Sequence, residues 1–247
     1  MASTSETGHP INVANFDLII ADVTSYGTTY NPSKASLKIP ELTALSTASK
    51  TAVNAVSAAE PAYKLARDAR DAAFKPLSPL VTKAINALKV TDTTAQVDKT
   101  AQTLVRKLQG RRATPKKTEK EKKVLADAGK ELVEISSSQM SFDSRIDNFD
   151  KFIKLLTSVT LYDPNEADLK VTSLTSVLSD LKAKNAAVIA AEVPLNNARI
   201  TRNDILYKPN TGLVDTALDV KTYIKSVFGT TSPQYKTISK IKFTKPR

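Results

Sequence analysis

Residues 30–45 read YNPSKASLKIPELTAL, and residues 162–177 read YDPNEADLKVTSLTSV. Seven of the sixteen positions are identical: Tyr30/Tyr162, Pro32/Pro164, Ala35/Ala167, Leu37/Leu169, Lys38/Lys170, Leu42/Leu174 and Thr43/Thr175. Self-similarity of this kind is the signature of an internal repeat. The match runs outward on both sides. Upstream, Asn15-Phe16-Asp17 aligns with Asn148-Phe149-Asp150, and Thr24-Ser25 with Thr157-Ser158. Downstream, Pro61 meets Pro194, Phe74-Lys75-Pro76 meets Tyr207-Lys208-Pro209, and Leu80-Val81 meets Leu213-Val214. Gly110 then pairs with Gly229, and Thr114-Pro115 with Ser232-Pro233, once an insertion near 89–102 of the first copy is allowed for.

Each copy reads as helical. Glycine is scarce, alanine and leucine are plentiful, and apolar residues recur every three or four positions. In the first copy Leu42, Leu45, Ala52, Val56, Ala59, Tyr63, Ala66 and Ala73 form one stripe; in the second, Leu174, Leu178, Leu181, Val188 and Leu195 do. A period near 3.5 suits long helices crossing at shallow angles. The punctuation repeats too. Proline disfavours helix at the residue before it, so Tyr30-Asn31-Pro32 and Tyr162-Asp163-Pro164 read as turns. A long helix follows, about 35–74 and 167–206, with Pro61 or Pro194 near its middle, where an interior proline costs about 3 kcal/mol and kinks the chain. Ser78 or Thr211 is placed to cap the next helix, Gly110 and Gly229 are stop signals, and Thr114-Pro115 and Ser232-Pro233 fit an N-cap followed by proline.

The expected architecture is all-α: an internally duplicated helical bundle of two pseudo-symmetric copies. Each copy holds a short helix (about 11–27, 142–160), a long proline-kinked helix and a third helix (about 79–109, interrupted near Val90–Thr94, and 212–228). In order along the chain the segments are a polar tail (1–10), the first repeat (11–112), a charged connecting helix (113–140), the second repeat (141–229) and a basic C-terminal segment (230–247).

Composition removes most chemistries. The 247 residues include no cysteine and no tryptophan, six glycines and one histidine. Disulfides, thiolate catalysis and Cys-ligated zinc are excluded. His9 sits in a stretch that reads as a solvated tail, so Ser-His-Asp and Cys-His arrangements within one chain are excluded as well. The carboxylate di-metal pattern of helical bundles needs two Glu-x-x-His helices and fails here. No GxGxxG or GxxxxGK[ST] occurs. Asp143, Asp147 and Asp150 share a helix face; they read as a solvated acidic face near a helix start rather than a hard-cation site, and Glu131 and Glu134 fall in the same class. No cofactor and no metal are expected. No apolar run approaches the ~18 residues that span a bilayer, and the first residues lack the basic and apolar parts of a secretory signal. A cytoplasmic location is expected.

Charge is more telling. The net charge is +11, but it is concentrated. Arg106–Lys123 holds nine Lys or Arg against two Glu, a local +7, and Lys236–Arg247 holds five basic residues and no acid, a local +5. The remainder nets to −1. A near-neutral body with two basic patches favours a polyanion or an acidic partner. The candidate contact residues are Arg106, Lys107, Arg111, Arg112, Lys116 and Lys117, with Lys236, Lys240, Lys242 and Lys245. Thr114-Pro115-Lys116-Lys117 resembles the (Ser/Thr)-Pro-Lys-Lys motif of linker-histone tails, which implies AT-rich minor grooves; the second copy departs from it with Ser232-Pro233-Gln234-Tyr235. Two patches can grip one polyanion bivalently, with Tyr235 and Phe243 stacking on bases or docking the terminal segment.

The leading functional expectation is a non-enzymatic helical binding or structural protein that contacts nucleic acid, a ribonucleoprotein or an acidic protein surface. The alternatives are a self-assembling homo-oligomeric scaffold, and an enzyme with a carboxylate-only site. The overall pattern, from MASTSETGH through NFD, YNPSKASLK, GRRATPKKTEKEK and ISSSQMSFD to KPNTGLVD and IKSVFGTTSPQYK, resembles a set of uncharacterised all-helical proteins of Bacteroidota-type bacteria. The resemblance implies the helical fold and brings no activity, cofactor or site residue.

Overall fold

A computed structural model describes residues 8–111, 118–128 and 140–245. Among these the regular elements are helices and no strand occurs. In chain order they are α1 (Gly8–Ser25), α2 (Ile39–Phe74), α3 (Leu77–Lys89), α4 (Ala95–Gln109), α5 (Glu119–Asp127), α6 (Phe142–Ser158), α7 (Val171–Tyr207), α8 (Leu213–Phe228) and α9 (Pro233–Ser239). Short 3₁₀ turns at Ala35–Leu37 and Ala167–Leu169 precede the two long helices.

Local chemistry accounts for the boundaries. α4 starts at Thr94, whose side chain accepts from the Val97 amide, and stops at Gly110 in the left-handed conformation at φ 64°, where a Cβ would be strained. Ser141 caps α6 through the Ser144 amide. Ser232 caps α9 through the Tyr235 amide, with Pro233 in its first turn. α2 and α7 continue unbroken through Pro61 and Pro194; each proline removes one amide from the helix ladder without ending it.

The compact units are not the consecutive segments 11–112 and 141–229. One unit comprises residues 1–63 and 191–247, the other residues 64–190. Both long helices therefore cross the division, which falls within a turn of Pro61 and of Pro194. The first unit combines α1 and the start of α2 with the end of α7, α8 and α9. The second combines the end of α2, α3 and α4 with α6 and the start of α7. The first unit is thus assembled from the two ends of the chain and the second from its middle.

Each unit has its own core. In the first, Phe16, Ile19, Val23 and Leu42 pack with Leu206, Leu213, Ala217, Ile224 and Ile238. In the second, Phe74, Val81, Leu88 and Leu108 pack with Phe149, Phe152, Leu156, Leu174 and Leu181. The repeated aromatics are packing residues: Phe16, Phe149 and Phe74 are almost fully buried. Tyr30 and Tyr162 are 6% exposed, and each phenol donates to a carbonyl seven residues on, Leu37 O at 2.6 Å and Leu169 O at 2.9 Å.

Several expectations need correction. α1 begins at Gly8, before the tail was expected to end, and His9 is buried at 3% exposure with its Nδ1 2.5 Å from the Tyr207 hydroxyl. Pro10 permits this because a first-turn residue has no helical amide bond to lose. α3 begins at Leu77, two residues before the expected 79, and α8 begins at Leu213, one residue after the expected 212. Asn210, Thr211 and Gly212 have no counterpart after Pro76, so Leu213 corresponds in place to Leu77. Ser78 and Thr211 are not the caps; Pro76 and Gly212 hold those positions. Of the connecting helix expected over 113–140, Glu119–Asp127 is helical. Thr114-Pro115, Glu131 and Glu134 lie outside the described residues.

Candidate polyanion-binding segments

The first basic segment belongs to the second unit. Arg106 and Lys107 lie in the last turn of α4, where a cation complements the partial negative charge of the helix C-terminus. Gly110 turns the chain, its amide donating back to the Arg106 and Lys107 carbonyls, and the Arg111 amide donates to Arg106 O at 2.8 Å. These bonds hold Arg111 beside the helix end on a fixed backbone. Met140 packs against the same corner: a Cβ on Gly110 would sit 2.7 Å from its Sδ. Arg111 and Lys107 are exposed and Arg106 is half-buried. Arg112, Lys116 and Lys117 lie outside the described residues.

The second basic segment belongs to the first unit. Beyond α9 residues 241–245 have no regular secondary structure, with Ile241 and Phe243 half-buried and Lys240, Lys242 and Lys245 exposed. The strap is pinned along its length. Asn12 Nδ2 donates to Thr244 O at 2.7 Å while its Oδ1 accepts from the Thr244 amide at 3.0 Å. Asn15 Nδ2 donates to Lys242 O at 2.8 Å, and Lys221 Nζ donates to Ile241 O. Burial lowers the pKa of Lys221, and its ammonium lies 5.3 Å from the Phe243 ring centre. Tyr235 and Phe243 pack against the core of this unit, which is docking rather than presentation to a base.

No carboxylate of the described residues lies within ion-pairing distance of Arg106, Lys107, Arg111, Lys236, Lys240 or Lys242. Lys245 differs: it meets Asp215 at 2.6 Å, and that contact lowers the Asp215 pKa. The two basic segments stand in separate units.

The acidic face is neutralised locally. Asp147 pairs with Lys151 at 2.6 Å and Asp150 with Lys154 at 2.8 Å, the second contact lowering the Asp150 pKa. Asp143 accepts from Asn185 at 2.8 Å. Among the described residues no group of three or more His, Asp or Glu is placed to hold a metal ion, and no helix is long and apolar enough to cross a membrane.

One charged cluster escaped the sequence reading. Arg70 stacks on Phe142 at 3.7 Å, Phe142 meets Phe74 edge-on at 4.8 Å, and Arg145 donates to Phe74 O at 3.1 Å. Burial lowers the Arg145 pKa. These arginines lock the end of α2 to the start of α6, and the only signal in the sequence was an arginine three residues after Phe142 and another four before Phe74.

No family model, curated protein or solved structure matches the chain significantly.

Proposed function

We propose that the chain is a non-enzymatic helical binding protein whose two basic segments contact a polyanion, nucleic acid or a ribonucleoprotein in the first instance. The observation that carries this reading is the set of six cations with no carboxylate partner among the described residues, Arg106, Lys107 and Arg111 in one unit and Lys236, Lys240 and Lys242 in the other. The corner at Gly110 and the strap pinned by Asn12 and Asn15 restrain the backbone that carries several of them. A cation on a restrained backbone loses less conformational freedom on meeting a phosphate than one on a free tail.

Size-exclusion chromatography with light scattering on freshly lysed material, with and without nuclease, tests the reading. Nucleic acid that co-elutes and leaves with salt or nuclease is the expected result. A nucleic-acid-free protein that fails to bind added duplex DNA or RNA at low salt would contradict it.

Self-assembly is a second reading, favoured by one observation. Val193 and Ile200 lie two turns apart on one face of α7 within the first unit and are each more than half exposed. Large apolar residues aligned on an exposed helix face are characteristic of association surfaces. Sedimentation across a concentration series separates the two, since the scaffold requires a discrete oligomer.

A further inference from the structure

The two units share a local arrangement whose difference exposes a site. In the first unit, the turn after Tyr30 packs against α8. Lys34 of the turn pairs with Asp219 at 2.5 Å, and one helical turn further on Tyr223 lies edge-on against Tyr30, ring centres 5.3 Å apart. The Tyr223 hydroxyl accepts from the Asn31 amide at 3.2 Å. In the second unit, the turn after Tyr162 packs against α3, with the ion pair reversed: Asp168 of the turn meets Lys83 at 3.5 Å. The residue four places after Lys83, where Tyr223 stands relative to Asp219, is Ala87. Tyr162 has no aromatic neighbour among the described residues. A cavity of about 650 Å³ lies there instead, lined by Ala87, Tyr162 and Leu169, with Val90 and Leu161 exposed at its rim.

The cavity also differs in charge. Asp163, Glu166 and Asp168 line it, against the single cation Lys83; the turn of the first unit carries Asn31, Lys34 and Ser36 over the matching stretch. Burial first, then the charges of Asp168 and Glu166, raise the Tyr162 pKa, so these carboxylates act on the phenol at the cavity wall.

We infer that this cavity is a binding site for an aromatic side chain flanked by basic residues on a partner polypeptide, seated among Ala87, Val90 and Leu161. The ring covers the exposed Val90 and Leu161 side chains, and the flanking cations meet the acidic rim. Residues 1–7, 112–117, 129–139 and 246–247 contain no aromatic residue, so none of these segments of the chain supplies the ring. The inference does not depend on the polyanion reading, because it concerns the acidic rather than the basic surface.

The test uses the full chain and the peptide acetyl-Lys-Tyr-Lys-amide, followed by methyl NMR at Ala87, Val90, Leu161 and Leu169. Saturable shifts at these methyls are expected with this peptide, about tenfold weaker binding with Lys-Ala-Lys, and weaker binding again by free tyramine. Ala87→Tyr is expected to fill the cavity, raise Tm and abolish the shifts, while Glu166→Gln weakens binding several-fold without filling the site. No shift with Lys-Tyr-Lys, equal affinity for Lys-Ala-Lys, or tyramine binding as tightly as the peptide would overturn the proposal. The wild-type peptide comparison stands even where Ala87→Tyr does not fold.

Discussion

Tyr162→Phe removes one oxygen atom from a buried corner. The phenol donates to Leu169 O at 2.9 Å, just before α7. The first amide bond recorded beyond that turn runs from the Leu174 amide to Lys170 O, so the helix ladder passes over the Leu169 carbonyl. A net intramolecular hydrogen bond is worth about 1 kcal/mol, and a buried carbonyl left without a donor raises the loss to about 1–3 kcal/mol. In a chain of this length each kcal/mol moves Tm by about 2–4 °C. The substitution also has a pH signature. Burial, reinforced by Asp168 and Glu166, pushes the Tyr162 pKa from its ordinary 10 up to about 12. The folded state therefore favours the neutral phenol. Its contribution is fully present below pH 10 and is lost as the pH rises from 10 to 12. Denaturant titrations of wild type and Tyr162→Phe at several pH values between 8 and 12 should show the variant less stable at neutral pH and the gap narrowing as the pH climbs. An unchanged unfolding midpoint at neutral pH together with an unchanged alkaline limb would refute the reasoning. Tyr30 offers the control, since burial and Tyr223 raise its pKa further still, and Tyr30→Phe should reproduce both effects.

Three further substitutions follow from the geometry. Gly110→Ala places a Cβ at φ 64° and 2.7 Å from Met140 Sδ, and should cost about 1–2 kcal/mol by chemical denaturation; a neutral result would mean the corner is not held as described. Asn12→Ala removes both bonds to Thr244, so amide exchange should accelerate at residues 241–245 well before it does in α8. Lys34→Ala breaks a short but half-exposed ion pair and should change stability by less than about 1 kcal/mol, in contrast to the tyrosine beside it.

Much of the helical plan was legible because it rests on local chemistry. The tyrosine and proline at 30–32 and 162–164, the glycine at 110 and the Ser-Pro at 232–233 each impose a backbone conformation, and the structure has a turn, a left-handed cap and a helix start at those places. The buried stripe Leu174, Leu178, Leu181, Val188 and Leu195 follows from its spacing alone. The pairing of helices was not legible, since a stripe says that a face is buried and not which helix buries it. The gathering of the chain's first and last helices into one unit had therefore left no mark in the stripes. His9 was misread because a Gly-His-Pro run looks like a tail, although a proline in the first turn is also a helix-start signal. The register of α3 against α8 was misplaced by the three residues Asn210–Gly212; the reversed ion pairs Lys34–Asp219 and Lys83–Asp168 correct it. In the basic segments, charge density alone did not distinguish Lys245, which Asp215 neutralises, from Lys240 and Lys242.

The most direct test of the central claim is the salt dependence of binding to a short DNA duplex, read by fluorescence anisotropy. It compares wild type with Arg106→Gln/Lys107→Gln/Arg111→Gln and with Lys236→Gln/Lys240→Gln/Lys242→Gln. Each phosphate neutralised contributes about −0.9 to the slope of log K against log salt. Wild type should therefore bind at about 50 mM salt with a steep negative slope, and each triple variant should flatten it by up to about 2.7. Binding that is undetectable at low salt, or a slope that neither triple variant changes, would contradict the account.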